Sequence, residues 1–311
     1  MSCLLCQCQD LRPLLSAEDN LKIVPGRFNL VICQNCGLVF LHPLPSSEQI
    51  KGYYPEYYCS RENPKNPVST HNLFAWIKQL EKDLRNFLLQ REIRHIQKLI
   101  NKGGRILDVG CGSGELLALF KAKGYEVYGV EVLPELARLA RERFGLEVRQ
   151  GDFLASGYPA DYFDLVIFYH VLEHLPEPDL GLAEAKRVLK KGGFLLLQVP
   201  NIASYQFRIF KQRWFALELP RHLYHFSPTT LELLLKNTGF EPLRIRHFSI
   251  RNNPLILAFT LFPRQNYHRL PHSPDMSWIF DFVLALSLVP FTTLESLAGG
   301  GATITLTARS T

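Results

Sequence analysis

The stretch Ile106-Leu-Asp108-Val-Gly110-Cys111-Gly112-Ser-Gly114 limits what this chain can fold into more than any other. An apolar run ends in an acid, and a G-x-G-x-G loop then opens a helix. Glycine permits the tight turn and close ligand approach, and the new helix offers free N–H groups. A dinucleotide loop usually reads G-x-G-x-x-G; this one is a residue shorter between its last two glycines. The acid at Asp108 would repel a pyrophosphate and suits a cationic ligand group.

Beyond the loop, strand and helix alternate. Strands are predicted at Arg105–Val109, Glu126–Glu131, Glu147–Gln150, Phe163–Tyr169 and Phe194–Val199. Helices are predicted at Glu115–Lys123, Pro134–Phe144 and Leu180–Lys190, with a further one at Ser227–Asn237. Such alternation with short Gly-bearing connections gives a parallel sheet covered by helices on both faces. Leu243–Ile250 and Ala302–Ala308 read as strands that finish the sheet.

Several chemical groups then fall on one edge. Glu131 ends the second strand, where a carboxylate can accept from both hydroxyls of a ribose. Asp152 and Phe153 follow the third strand, placed to meet an adenine amino group and ring. Tyr169 and His170 end the fourth. Ligands bind at this carboxyl edge in open α/β sheets.

ILDVGCGSG, GVEV, GDF, FDLVIFYHVLEHL and LKKGGFLLLQVPN, in this order and spacing, resemble class I S-adenosylmethionine-dependent methyltransferases. The resemblance covers about residues 100–250 and the last strand. It implies an α/β, Rossmann-like sheet of seven strands, the last antiparallel, and S-adenosylmethionine as cofactor. It also implies that Asp108, Gly110, Gly112 and Gly114 hold the methionine end. Glu131 then holds the ribose and Asp152 with Phe153 the adenine, with Tyr169 beside them; Cys111 is a packing position. A hydroxyl or carbon acceptor also needs a base, which favours histidine. His170, His174, His222 and His225 are the candidates, His170, His222 and His225 foremost.

His170-Val-Leu-Glu173-His174 matches H-x-x-E-H, a peptidase zinc signature. That chemistry needs a continuous helix presenting positions i and i+4 on one face. Here a strand runs into His170, and Pro176 and Pro178 leave at most one helical turn, so a peptidase is disfavoured. Ubiquinone-pathway O-methyltransferases resemble this stretch but carry E-x-x-E-H, a divalent-metal site. His170 replaces the first glutamate, so a second metal at His170, Glu173 and His174 competes with a purely structural role.

The seven cysteines include Cys3-Leu-Leu-Cys6 and Cys33-Gln-Asn-Cys36, two C-x2-C knuckles with a β-like run, Phe28–Cys33, between them. Paired knuckles predict a structural zinc ribbon, with Cys3, Cys6, Cys33 and Cys36 as ligands and no open position for water. Cys8 is a spare that can replace Cys6. The start, MSCLLCQCQD, has no cationic segment followed by an apolar run, so a cytoplasmic, reducing home is expected. Peripheral membrane attachment is the alternative.

The predicted division is a zinc ribbon at 1–45 and a Tyr/Pro-rich linker with amphipathic helices at 46–100. A methyltransferase core takes 101–250 plus 301–311, with a helical insertion at 251–300 before the last strand. In the linker, Tyr53, Tyr54, Tyr57 and Tyr58 pack the ribbon or cover a ligand. In the insertion, Ile279–Leu297 is apolar but broken by Pro290; it reads as a buried helical pair, a lid, a homodimer face or a membrane-surface contact. Gln206–Phe215, QFRIFKQRWF, interleaves aromatic and basic residues that suit phosphates, headgroups or nothing beyond a solvated loop.

The expected activity is methyl transfer to a small molecule: a sugar, a quinol-like compound or a lipid-linked acceptor. The alternative is a ribosomal-RNA methyltransferase whose ribbon binds RNA. A net charge of +6 over 311 residues is modest for that role and is not massed in the ribbon.

Overall fold

The computed structural model describes residues 2–54, 79–80, 83, 93–94, 96–249, 252–263 and 277–311. Most of the predicted amphipathic helices at 71–100, and Tyr57 and Tyr58, lie outside them.

Seven strands build the central sheet: β4 (Arg105–Val109), β5 (Glu126–Glu131), β6 (Glu147–Gln150), β7 (Phe163–Tyr169), β8 (Leu189–Pro200), β10 (Phe240–Arg246) and β11 (Thr303–Ser310). Their order across the sheet is β10-β11-β8-β7-β4-β5-β6. β6, β5, β4, β7 and β8 pair in parallel, and β11 is antiparallel to both β8 and β10. The chain leaves β4 towards β5 and β6 on one side, and returns to β7 on the other. The crevice at the ends of β4 and β7 is therefore the switch point where ligands enter such sheets.

Local chemistry sets the helices. α2 (Glu115–Ala122) starts at Gly114, whose φ of 82° is left-handed. α3 (Pro134–Phe144) starts on a proline and stops at Gly145, φ 60°. α4 (Pro178–Val188) begins two residues earlier than predicted, because Pro178 presets the first turn. α6 (Pro228–Asn237) carries a capping box between Ser227 and Thr230. The predicted strand Leu243–Ile250 is instead Phe240–Arg246, and it starts directly after Gly239, φ 79°. β8 extends five residues before the predicted Phe194 and passes through Gly192-Gly193.

β1 (Leu11–Glu18), β2 (Arg27–Cys33) and β3 (Val39–Leu41) come from the amino-terminal region, and α1 (Ser47–Gly52) comes after them. β9 (Tyr224–His225) comes from the loop after β8. These four strands form a second sheet in the order β1-β2-β3-β9. No sequence signal marks β1, because Pro13 spoils its alternation. β9 pairs Val39 with His225 and Phe40 with Tyr224. The first 45 residues are therefore not a free module: their sheet is completed by the loop that carries the candidate histidines.

A buried ion pair locks that junction. Arg221 donates to both carboxylate oxygens of Asp19, at 2.6 and 3.1 Å, and both side chains are at most 1% exposed. The same carboxylate accepts from the backbone N–H groups of Leu21, Ile23 and Val24. Burial opposes ionisation of Asp19, but Arg221 and these amides outweigh it and hold its pKa below the ordinary carboxylate range.

Removing one member of such a pair leaves the other charged and buried. Asp19→Ala is expected to cost about 3–5 kcal/mol in urea unfolding. A depressed folded pKa stabilises above the unfolded value of about 3.9. The wild-type advantage over Asp19→Ala should therefore hold at neutral pH and fade as pH falls below about 4.

Candidate active site

The glycine loop is stitched to its neighbouring strand by one carboxylate. Glu131 accepts from the backbone N–H of Gly112 at 2.8 Å and from that of Leu133 at 2.9 Å. The N–H groups of Gly110 and Cys111 both donate to the carbonyl of Val130. Gly110, Gly112 and Gly114 all have positive φ. A Cβ at Gly110 would stand 2.5 Å from Val171 Cγ2, and one at Gly114 would stand 2.4 Å from Leu146 Cδ1. At Gly112 and Gly151 a Cβ would meet only open space. The loop is thus packed from below and open above.

Asp108 and Glu131 are both buried, at 4% and 5% exposure. Burial, and then the charge of Glu131, push the Asp108 carboxyl up to about 8. Among the described residues Asp108 has no ion-pair partner. A cation delivered here would relieve both causes at once.

Asp152 is exposed and caps the short turn Phe153–Ala155, accepting from Leu154 N–H. Phe153 is buried with its ring edge-on to Phe168, 5.7 Å between centroids. Tyr169 ends β7 half-buried. The structure thus brings Asp108, the three glycines and Glu131 together, with Asp152 and Phe153 one strand further along the same edge.

His174, His222 and His225 cluster, with His222 and His225 ring centroids 6.1 Å apart, and His170 turns elsewhere. His170 has a left-handed φ of 55°, and both its ring nitrogens are engaged. Nδ1 lies 3.2 Å from Glu173 Oε1, and Nε2 lies 2.8 Å from Asn252 Nδ2 and 3.2 Å from Gln198 Oε1. An amide N–H can only donate, so Nε2 accepts and Nδ1 carries the proton towards Glu173. His225 is buried on β9, and burial, then the charge of His174, lower its pKa to about 3.

His174 and His222 instead meet, with ring centroids 4.6 Å apart. His174 Nδ1 lies 3.1 Å from the carbonyl of Arg221, and His222 Nδ1 lies 3.0 Å from that of Ala216. Carbonyls only accept, so each ring holds its proton on Nδ1 and keeps a lone pair on Nε2. Burial, followed by the nearby histidines, lowers the His222 pKa well below its usual value, so His222 is neutral.

Glu173, His174 and His222 each offer a ligand atom, all within 4.8 Å of one another. Glu173 is 1% exposed, and its Oε2 has no hydrogen-bond partner among the described residues. This corrects the expected trio of His170, Glu173 and His174. The left-handed turn at His170 carries its ring to Gln198 and Asn252, and His222 takes its place from the loop beyond β8.

Sequence reasoning missed Asn252 and Gln198 as partners of His170, and Glu218, whose Oε2 lies 3.6 Å from His222 Nε2. Of the linker tyrosines, Tyr54 reaches the histidine pair: its hydroxyl is 2.9 Å from His174 Nδ1. Asn252-Asn253-Pro254, a cap-like run before an apolar helix, is the one legible signal for Asn252.

In the amino-terminal region, Cys3 and Cys36 Sγ are 3.4 Å apart and Cys6 and Cys33 Sγ 3.5 Å apart. All four sulfurs lie within 4.8 Å of one another, without Cys8. Gly37 N–H donates to Cys33 O, and Cys33 N–H to Leu38 O, closing the second knuckle.

The methyltransferase domain family model matches residues 76–245. A ubiquinone biosynthesis O-methyltransferase of Xanthomonas euvesicatoria is 30% identical over 185 residues, covering 52% of this chain and 77% of the relative. The enzyme of that name from Ruegeria is 32% identical over 174 residues, covering 52% and 69%. Phosphoethanolamine N-methyltransferase 2 of Haemonchus contortus, solved with S-adenosyl-L-methionine, shares the fold. Its TM-score is 0.52 at 17% identity, covering 71% of this chain and 52% of that one.

The raised Asp108 pKa sets a pH dependence. An unfolded carboxyl, at about 3.9, releases its proton before the folded one. Stability of the cofactor-free protein therefore falls as pH rises from about 4 to about 8, by at most about 1.4 kcal/mol per unit from this group. Asp108→Asn should flatten that slope, as read from urea midpoints at about pH 5 and about pH 8.

Proposed function

We propose that this chain, which belongs to the methyltransferase domain family, methylates a hydroxyl of a small phenolic or quinol-like acceptor. It is an S-adenosylmethionine-dependent methyltransferase of the α/β, Rossmann-like class, acting on a small molecule. The phenolic acceptor is inferred from two things: the similarity to ubiquinone-pathway O-methyltransferases, and the Glu173, His174 and His222 cluster beside the glycine loop. The cluster is the single observation that carries the O-methylation reading. Val171, whose side chain packs under Gly110, ties the two together. The RNA-methylating alternative gains no support from these relatives.

The residues fit S-adenosylmethionine. Open backbone over Gly112 and Gly151 leaves room for it, and the buried Asp108 lacks a cation. When bound, the cofactor supplies an electrophilic sulfonium methyl group. Asp108 would then hold the ammonium of its methionine end. Glu131, already bridging Gly112 and Leu133, would meet the ribose hydroxyls, and Asp152 and Phe153 would take the adenine side.

The acceptor's proton needs a destination. His222, neutral with its lone pair on Nε2, accepts it, and Glu218 at 3.6 Å stabilises the imidazolium that forms. The His170 ring positions Glu173 through Nδ1–H, and accepts from Asn252, which also donates to Gln198. His225, buried on β9, braces the second sheet. Glu173, His174 and His222 also fit a divalent cation: two imidazoles with carbonyl-fixed tautomers and one carboxylate oxygen without a partner. Such a cation would take the His222 Nε2 lone pair in place of the proton, and would instead lower the pKa of a bound hydroxyl. The four cysteine sulfurs fit a structural zinc ion, which would tie the two amino-terminal knuckles together at the end of β2.

With methyl-labelled S-adenosylmethionine and a dihydroxybenzoate probe, label is expected in a methyl ether. Label from cell extract entering RNA, with none in small phenols, would overturn the reading. Glu173→Gln and His222→Gln should each lower kcat by about a hundredfold or more while cofactor affinity stays within about twofold. The purified chain should hold one zinc per molecule, lost in Cys33→Ser, by elemental analysis.

A further inference from the structure

The insertion before β11 consists of α7 (Asn252–Leu261) and α8 (Ser277–Leu297). α8 is apolar over Phe280–Leu297, with mean hydropathy 1.4, yet only 17% of that window is buried. At about 100° per residue, the exposed Phe280, Val283, Leu286, Phe291, Leu294 and Leu297 fall within an arc of about 140°. Leu294 and Leu297 are 67% and 80% exposed. Ala285, Thr292 and Glu295, on the opposite side, are buried against the protein. The stripe runs about 25 Å along the helix, far more exposed apolar surface than scattered side chains give. Those three buried residues seat the helix on the protein, and the apolar stripe faces outward along the molecule's surface.

The neighbouring element supplies charge. α5 (Tyr205–Phe210) is tied to the end of α8: Tyr205 N–H donates to Gly300 O, and Gln206 donates to Glu295 from both its backbone N–H and its side-chain amide. These two contacts engage both oxygens of the Glu295 carboxylate beneath this face. On the outside, Ile209 is exposed between Arg208, Lys211 and Arg213, all three exposed and without an ion-pair partner among the described residues. Between α5, α7 and α8 lies a cavity of about 600 Å³, lined by Ile209, Phe210, Leu257, Leu261, Phe291 and Leu294.

We infer that α8 and α5 dock this protein flat onto an anionic lipid bilayer, apolar stripe in the acyl boundary and Arg208, Lys211 and Arg213 among the headgroups. An apolar face edged by cations is the arrangement such a surface selects. A second copy would bring the same three cations against themselves. α7 links this face to the site: Asn252 at its start donates to His170 and Gln198, and Leu261 at its end lines the cavity about 14 Å away. The docking surface does not depend on which acceptor is methylated.

The test is flotation of the full chain with vesicles of equal parts phosphatidylglycerol and phosphatidylcholine, against phosphatidylcholine alone. Strong flotation is expected with the anionic vesicles at low salt, and little with the neutral ones. Arg208→Gln, Lys211→Gln and Arg213→Gln should each weaken binding about fivefold, and the triple variant about a hundredfold. Leu294→Asp with Leu297→Asp should abolish it while cofactor binding, measured by calorimetry, is unchanged. No flotation, or flotation indifferent to both sets of changes, would overturn the inference. So would a dimer in sedimentation that the leucine changes dissolve, because that would assign the face to a second copy.

Discussion

Two carboxylates end neighbouring parallel strands, and Asp108 cannot be ionised at low cost without a cation. Asp108 and Glu131 are buried at the carboxyl edge, and their mutual repulsion adds to the burial that raises Asp108 to about 8. Glu131 is stabilised by two backbone N–H groups, one of them the centre of the glycine loop. The loop conformation, the opening above Gly112 and the demand for a positive ligand are therefore one arrangement. The rest of the site is organised around the position it gives the cofactor.

The other half of the edge depends on a fusion of two sheets. β9 belongs by chain order to the loop after β8 and by hydrogen bonding to the amino-terminal sheet. Asp19 and Arg221 clamp that junction, and His222 is the next residue after Arg221. The amino-terminal region thus sets where His222 stands. His174 is reached by the carbonyl of Arg221 and the hydroxyl of Tyr54, so three distant segments fix one pair of imidazoles.

Much of this is legible in the sequence, where local chemistry decides the outcome. β4, β5, β6 and β7 run where alternation and the glycine loop place them, and the peptidase reading of H-x-x-E-H fails as expected: Leu172–His174 is a single tight turn. The illegible parts are those set by contacts between distant residues. No period marks β1, interrupted by Pro13, or β9, two residues long. His170 sits at the metal-like position of its motif, but a left-handed backbone turns it to Gln198 and Asn252. His222, about fifty residues on, enters its place only because β9 joins the second sheet. Ile279–Leu297 admits several readings from sequence; exposure along one side of α8 removes that of a fully buried pair.

The most direct test of the central claim is a crystal structure of the chain with S-adenosylhomocysteine. Its amino group is expected within hydrogen-bond distance of Asp108, its ribose hydroxyls on Glu131, and its sulfur facing the end of β7 near His174 and His222. A product seated with its ribose or adenine on Asp108, or with its sulfur turned away from that end of the sheet, would contradict it.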